Sequence, residues 1–501
     1  MNSFRKNLPF LLLVASFIIS RYLALNSAGS FWFDEAFSVH FASKPLAEMW
    51  QFLKFEHNPL THFLALHFWI DLFGQSEFAV RTLSVLVGLL SLIMTYLLGG
   101  RLFNRQAGFW AAFFMTISTL FLFHQTEARM YAWVALFSLT TIYTFWRWFE
   151  SSQNKWLILY ALSGALLVQT HITAAALLVG LGVFYLLEPS KNKSWRKYLA
   201  DAFILVSFLL WFIPVLQNKM LAGQVSNGWF FFNIENGFWL GHITNSLLQG
   251  ETSIYLRAAG ALLIITLIFF SLFKIQRPSW WQKIKSIFDH EAWSVTTVFE
   301  WTSRNRLLLS CLLTPLILGF VFQIVITKYL LVASIALLLI IGKGMAKLPV
   351  QARFAFASVA ILICLPLHLK LYLQPRHNWD LVGLYVQSSP QPVVVHGFAY
   401  SLLLERYAEV ANVLPFYPLN DDLNPEDRIV RYNWQALVNR DNVSQLEKIL
   451  TGIDEFTLLS STPHQEEDDI VKAWLWQNGW RLEDRKNWPG FGDPEVMIFK
   501  K

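Results

Sequence analysis

The feature that most constrains this 501-residue chain is a series of apolar runs, each about as long as a bilayer is thick. A helix needs about 20 mostly apolar residues to cross the hydrocarbon core. Candidates lie at residues 8–25, 77–99, 107–123, 130–149, 156–170, 171–188, 199–216, 254–273, 307–326, 328–346 and 354–373. The run from Trp156 to Leu187 holds two of them, with a tight turn expected at Gln169-Thr170-His171. Charged residues make up only 15% of the chain, against roughly 25% in soluble proteins. Too few polar side chains remain to cover a water-facing surface, so the chain reads as an α-helical integral membrane protein with about eleven spans.

Basic residues orient those spans, because Lys and Arg gather in cytoplasmic loops. Arg5 and Lys6 precede the first run, which places the N-terminus in the cytoplasm. Alternate connections then carry Arg101 and Arg105, Arg147 and Lys155, the group from Lys191 to Lys197, the group from Lys274 to Arg306, and Lys343, Lys347 and Arg353. With eleven spans every cluster falls on one side. Residues 26–76, 124–129, 217–253 and the C-terminal tail then face outward, as expected of a multi-pass protein of the plasma (inner) membrane. Residues 1–29 share features with a cleavable signal peptide, but the apolar run is long and lacks an A-x-A site, which favours a retained first span. The net charge of +6 is spread among these loops and forms no basic face or tail, so no nucleic-acid partner is expected. Cys311 and Cys364 both lie in apolar runs, which excludes a disulfide framework and a thiolate metal site.

Composition changes near residue 374. The short β-branched or apolar runs Val393-Val394-Val395, Phe456 to Leu459 and Val496 to Phe499 alternate with helix-like stretches such as 466–479. Residues 1–373 therefore read as a polytopic membrane domain, and 374–501 as a small extracytoplasmic α/β domain. The acidic group Glu466 to Asp469 suits the first turn of a helix, and Asn442-Val443-Ser444 is a glycosylation sequon.

Charged groups beside apolar spans are where function is best sought, and here they fall at the outer span ends. Phe31-Trp32-Phe33-Asp34-Glu35 sets two carboxylates among aromatics, suited to a general base or a divalent-metal ligand, or else to a plain helix start. His57 precedes Pro59 and is a ligand or orienting candidate, whereas the spacing of His62 and His67 fits packing. Gln125 to Tyr131 brings Glu127, Arg129 and Tyr131 together, either as a site or as an internal ion pair capping a span. His171 lies at another outer turn. Lys328, before Tyr329, and Arg81 each open a span, and each could face a lipid phosphate or snorkel to the headgroups. A proton-driven transporter would instead want acids near the midplane.

The stretch from Phe31 to Trp133 resembles the bacterial glycosyltransferase family 39 type within the GT-C superfamily, related to protein O-mannosyltransferases and to the aminoarabinose transferase of lipid A. The matching elements are Asp34-Glu35, His57-Asn58-Pro59-Leu60, Phe73-Gly74 through Arg81, and Gln125 through Tyr131. His171 and Lys328-Tyr329-Leu330 resemble later elements. Asn58 stands where relatives commonly have proline, and Lys328 where they have arginine, a change that keeps charge but loses bidentate phosphate geometry.

The resemblance implies a GT-C fold and transfer of a sugar from a polyprenyl-phosphate donor to a lipid, glycan or protein hydroxyl at the outer face, with inversion. It gives Asp34 the role of base. Glu35 and Glu127 would shape the acceptor pocket or hold a divalent metal ion, the one candidate cofactor. Arg129, Lys328, Tyr131 and Arg81 would meet the donor phosphate, with His57 and His171 orienting groups or metal ligands. The competing readings are a transporter or flippase of lipid-linked sugars, expected to show paired broken helices, and a membrane scaffold. The donor, the acceptor and membrane lipids are the partners expected.

Overall fold

The computed structural model describes residues 2–53, 58–189, 194–221, 244, 248, 253–276, 296–322, 327–396, 398–408, 413–416, 443–460, 465–488 and 495–501. His57, Asn442, residues 461–463 and most of the expected outer loop at 217–253 lie outside the described residues. A helix lies in each of the expected apolar segments. Helices α1 (Asn2–Asn26), α5 (Glu77–Leu102), α11 (Trp195–Leu221), α12 (Ile254–Leu272), α13 (Ser303–Val321), α14 (Leu331–Lys347) and α15 (Val350–Leu373) supply the seven segments that, among the described residues, are long and apolar enough to cross a membrane. The chain is a multi-pass membrane protein.

Between α1 and α5 the first loop folds into three shorter helices, α2 (Phe33–Ala42), α3 (Leu46–Phe52) and α4 (Leu60–Phe73). The segment at 107–123 is not one continuous helix, as its uniform apolarity predicts. It divides into α6 (Arg105–Ile117) and α7 (Thr119–His124) at Ser118, whose hydroxyl caps the second piece by accepting from the Phe121 N–H. A break inside apolar surroundings leaves last-turn carbonyls without helical donors. Two side chains from distant helices supply them. The Arg21 guanidinium donates to the carbonyls of Met115 (3.2 Å) and Thr116 (2.7 Å), and His368 Nε2 lies 2.8 Å from that of Ile117.

Helix α8 (Tyr131–Ser151) follows, then α9 (Asn154–Val168) and α10 (Ala175–Leu187). The turn expected between the last two is present: α9 stops at Val168, and His171 caps a single 3₁₀ turn over Ile172–Ala174. Helix α14 is buried along most of its length and packs on α6, α12 and α13. Small residues permit these approaches, as membrane helix pairs require. A Cβ on Gly342 would lie 2.5 Å from the Ala107 carbonyl oxygen, and one on Gly344 would overlap the Leu267 carbonyl of α12. At the far end of α12, a hairpin of β1 (Phe273–Gln276) and β2 (Thr296–Phe299) interrupts the basic stretch.

After α15, helices α16 (Trp379–Ser388), α17 (Phe398–Tyr407), α18 (Leu446–Ile449) and α19 (Gln465–Gln477) accompany a five-stranded mixed sheet. Its order is β4 (Val413–Phe416), β3 (Val393–His396), β5 (Glu455–Ser460), β7 (Glu495–Lys500), β6 (Arg481–Asn487), with β3 parallel to β4 and β5. The three apolar runs read from the sequence are β3, β5 and β7. Their side chains alternate between faces. Val394, Phe456, Leu458 and Phe499 join one core with α19. Val393, Val395, Leu459 and Val496 join another that holds Phe31, Phe37 and Phe63 of the first loop. The C-terminal sheet thus packs against the segment that carries Asp34 and Glu35.

Candidate functional site

Helix α2 begins at Phe33, so Asp34 and Glu35 occupy its first turn, where negative charge is favoured by the helix dipole. Adjacent positions on a helix point about 100° apart, and the two acids meet different surroundings. Glu35 is buried to 1% exposure. It accepts from Arg81 Nε (2.8 Å) and Nη2 (2.7 Å), from the Ala128 N–H (2.8 Å) and from the Trp32 N–H (3.4 Å). The last contact is half of a capping box. Burial alone would raise the carboxyl's pKa. The Arg81 guanidinium outweighs it and holds the group down to about 2. Arg81 donates also to the carbonyls of Gly29 (2.7 Å) and Ser30 (2.8 Å), so its fork faces protein on every side.

The Asp34 side chain keeps 20% of its surface open, and its Oδ2 lies 3.5 Å from Arg129 Nη2. Arg129 Nη1 donates to the Ser38 hydroxyl (2.9 Å) and to the Asp34 carbonyl (3.2 Å). Glu127 is buried, with Oε2 2.9 Å from His124 Nδ1. The His124 ring stands 4.7 Å from that of Tyr131.

Lys328 enters from the 3₁₀ turn before α14. Its ammonium sits 5.5 Å from the ring centres of Trp32 and Tyr329 and 5.6 Å from that of Tyr131. Among the described residues it makes no hydrogen bond or ion pair, although it feels the charges of Asp34 and Glu127. His171 closes the same corner, with its ring 5.8 Å from Tyr131 and 5.1 Å from Tyr329. Its Nδ1 accepts from the Thr173 N–H, which leaves the ring proton on Nε2.

Asp34, Glu35, Arg81, Glu127, Arg129, Tyr131, His171 and Lys328 therefore converge at one end of the bundle, around the 124–131 turn. The basic ends of α5, α8 and α14 lie at the other end. Among the described residues no three His, Cys, Asp or Glu side chains converge as a metal centre would need. Arg81 occupies both oxygens of Glu35 and His124 lies on Glu127, so neither of these two acids is open to a divalent ion.

Several members of the site carry no motif. Arg376 donates to the Thr126 carbonyl (2.9 Å) and hydroxyl (3.0 Å) while its own N–H donates to the Ala28 carbonyl (3.1 Å), so it pins the turn to the first loop. Arg21 grips Gln125 Oε1 from α1 (2.9 Å). His62 is buried beside Arg129, and burial followed by that cation lowers its pKa to about 3, keeping the ring neutral. A lone arginine inside an apolar run is a signal that could have found Arg21. Nothing local marks Arg376 or His124 for its role.

Residues 57–217 match the family model described as dolichyl-phosphate-mannose-protein mannosyltransferase. No curated protein matches the sequence. Among solved structures, ArnT from Cupriavidus metallidurans in its apo state superposes with a TM-score of 0.62 at 10% identity, covering 98% of this chain and 97% of that one. The same protein bound to undecaprenyl phosphate gives 0.59 at 11% identity, with the same coverage. The apo oligosaccharyltransferase of Archaeoglobus fulgidus gives 0.55 at 12% identity, covering 95% of this chain and 72% of that one. The fold of this chain is that of the GT-C membrane glycosyltransferases.

Proposed function

We propose that the chain is a membrane glycosyltransferase that moves a sugar from a polyprenyl-phosphate donor to an acceptor hydroxyl of a lipid, glycan or protein, at the outer face of the plasma membrane. The mannosyltransferase match over residues 57–217 and the GT-C fold support the reaction class, and the ArnT structure with undecaprenyl phosphate supports the carrier. The N-terminus is cytoplasmic and the C-terminal domain extracytoplasmic on the charge rule.

One observation carries the mechanism: an open carboxylate, Asp34, shares a small site with a cation, Lys328, that has no acid of its own among the described residues. A phosphate ester is a good leaving group, so transfer needs a base for the hydroxyl and positive charge for the departing phosphate. The acceptor oxygen attacks the anomeric carbon as its proton passes to Asp34. The bond from that carbon to the phosphate oxygen breaks, and the electron pair leaves with the polyprenyl phosphate, facing Lys328 and Arg129. A single displacement inverts the anomeric centre. Glu35 and Arg81 hold the loop, a different role from direct acceptor or phosphate contact. Tyr131 and His171 wall the phosphate corner.

Asp34→Asn tests the assignment, using purified protein, a polyprenyl-phosphate sugar and mass analysis of the product. Transfer should vanish while the variant inserts and melts like the parent. Turnover at the parent rate would remove Asp34 as base.

A further inference from the structure

The transfer chemistry draws no reacting group from residues 374–501. Yet the start of this domain grips residues 28–31, the strip between α1 and the helix that carries Asp34, at four successive positions. The Arg376 N–H donates to the Ala28 carbonyl (3.1 Å). Gly29 forms a β-bridge with His377. Its φ is +72°, and a Cβ there would lie 2.3 Å from the His377 carbonyl oxygen, so only glycine permits this approach. The Ser30 hydroxyl accepts from the Trp379 N–H (2.7 Å). The Phe31 N–H donates to the Tyr407 hydroxyl (2.6 Å), at the end of α17.

The last contact continues into the membrane domain. The Tyr407 hydroxyl donates in turn to Glu77 Oε1 (2.6 Å), in the first turn of α5. Arg406 donates to the same oxygen (3.2 Å) and to the Gln75 carbonyl (2.6 Å), and its guanidinium lies 4.5 Å from the centre of the Phe31 ring. Phe31 is fully buried, and the Arg81 guanidinium stands 5.1 Å from the same ring. Arg81 also takes the carbonyls of Gly29 and Ser30, so the strip is held by α5 on one side and by the C-terminal domain on the other. The next residue, Trp32, is the N-cap of α2, and its ring stands 5.5 Å from the Lys328 ammonium. Asp34 follows in the first turn of that helix.

We propose that the C-terminal domain is a positioning element of the transfer site and that Tyr407 is a positioning residue: its hydroxyl sets where the Phe31 backbone sits, and with it the spacing between Asp34 and Lys328. A buried N–H that loses its acceptor is costly, so without the hydroxyl the strip moves to find another partner. The start of α2 moves with it. A shift of about 1 Å in reacting groups can cost about 100-fold in rate. The inference rests on the reading of Asp34 as base and adds a task for residues that touch neither substrate.

Tyr407→Phe keeps the ring and removes the hydroxyl. In the full chain in detergent, kcat per folded molecule should fall by about tenfold or more, with the KM of donor and acceptor at parent values. Hydrogen–deuterium exchange of the peptide covering residues 28–37 should quicken. Ser30→Ala removes the acceptor of the Trp379 N–H and should shift both readouts the same way, which keeps the test open if Tyr407→Phe fails to insert. Leu458→Ala lies in the other core of the sheet. It should lower the melting midpoint yet leave kcat per folded molecule and that exchange rate at the parent level, a separation that a purely stabilising role would not give. Parent kcat in Tyr407→Phe and Ser30→Ala, or an equal loss in Leu458→Ala, would overturn the proposal. So would a loss of kcat with unchanged exchange. Exchange reads the clasp without the chemistry, and Asp34→Asn touches no group of the clasp, so this proposal and the base assignment fail separately.

Discussion

Replacing Glu35 with glutamine isolates what the buried ion pair contributes. The side chain keeps its shape, but the Arg81 guanidinium loses its counter-ion at 2% exposure while still serving the Gly29 and Ser30 carbonyls. Breaking a buried pair from one side costs about 3–5 kcal/mol. Linkage gives a similar figure: depression from 4.5 to about 2 corresponds to about 3 kcal/mol at about 1.4 kcal/mol per pH unit. The sign follows from the depressed pKa. The stabilisation is fully present above pH 4.5 and is lost as pH falls toward 2. At roughly 2 °C per kcal/mol, Glu35→Gln should lower the melting midpoint at pH 7 by about 6–10 °C. It should also flatten the parent's acid-induced loss between pH 4.5 and 2. Tryptophan fluorescence of the detergent-solubilised protein, heated at a series of pH values, reads both effects. Parent-like melting at pH 7, or an acid limb that survives in the variant, would refute the reasoning. Leu at 35 with Met at 81 should recover only part of the loss, because two loop carbonyls would still lack donors.

Other substitutions probe the remaining parts. Lys328→Ala should lower kcat/KM for the donor by about 10- to 100-fold with little change for the acceptor, and steady-state kinetics with each substrate varied would detect any other pattern. Arg376→Ala removes donors from Thr126 and should cost roughly 1–3 kcal/mol of stability, with a lower kcat and an unchanged donor KM; Arg376→Lys should restore part of both. Gly344→Ala places a methyl group against the Leu267 carbonyl and should destabilise by roughly 1–3 kcal/mol, read as a lower melting midpoint with specific activity retained in the folded fraction.

Length and apolarity located the helices because a bilayer enforces both. The Gln169–His171 turn was legible for the same reason: Trp156 to Leu187 is too long for one crossing. The break at Ser118 was not legible, because Arg21 of α1 and His368 of α15 satisfy its carbonyls, and neither is near in sequence. Strand β6 was missed because Arg481–Asn487 is an edge strand, exposed throughout and polar apart from Leu482, and pairs through its backbone with β7. At the site the residue types were legible and the pairings were not. Asp34 and Glu35 look alike in sequence. What separates them is the docking of α2 on α5 and on the 124–131 turn, a tertiary fact that places Arg81 under one acid and Arg129 beside the other.

That separation also decides which acid can do chemistry. A general base must take up a proton near the working pH, and a carboxyl held near 2 by a guanidinium on both oxygens cannot do so at neutrality. Its value lies in rigidity. Glu35 ties α2 to α5 and to the Ala128 N–H, Arg376 ties the same turn to the end of α15, and Arg21 ties it to α1. Three buried ionic groups thus hold the backbone on which Asp34 and Arg129 are mounted, while Lys328 approaches from a separate helix with the rings of Trp32, Tyr131 and Tyr329 around its charge. Electrostatic catalysis requires charges fixed before the reaction begins, since reorienting them during it would cost much of what they contribute. The sharpest consequence concerns distance from the chemistry. Loosening Glu35, Arg376 or Arg21 should slow transfer through misplacement and leave a measurable residual rate in the folded fraction, whereas Asp34→Asn should abolish transfer without lowering the melting midpoint.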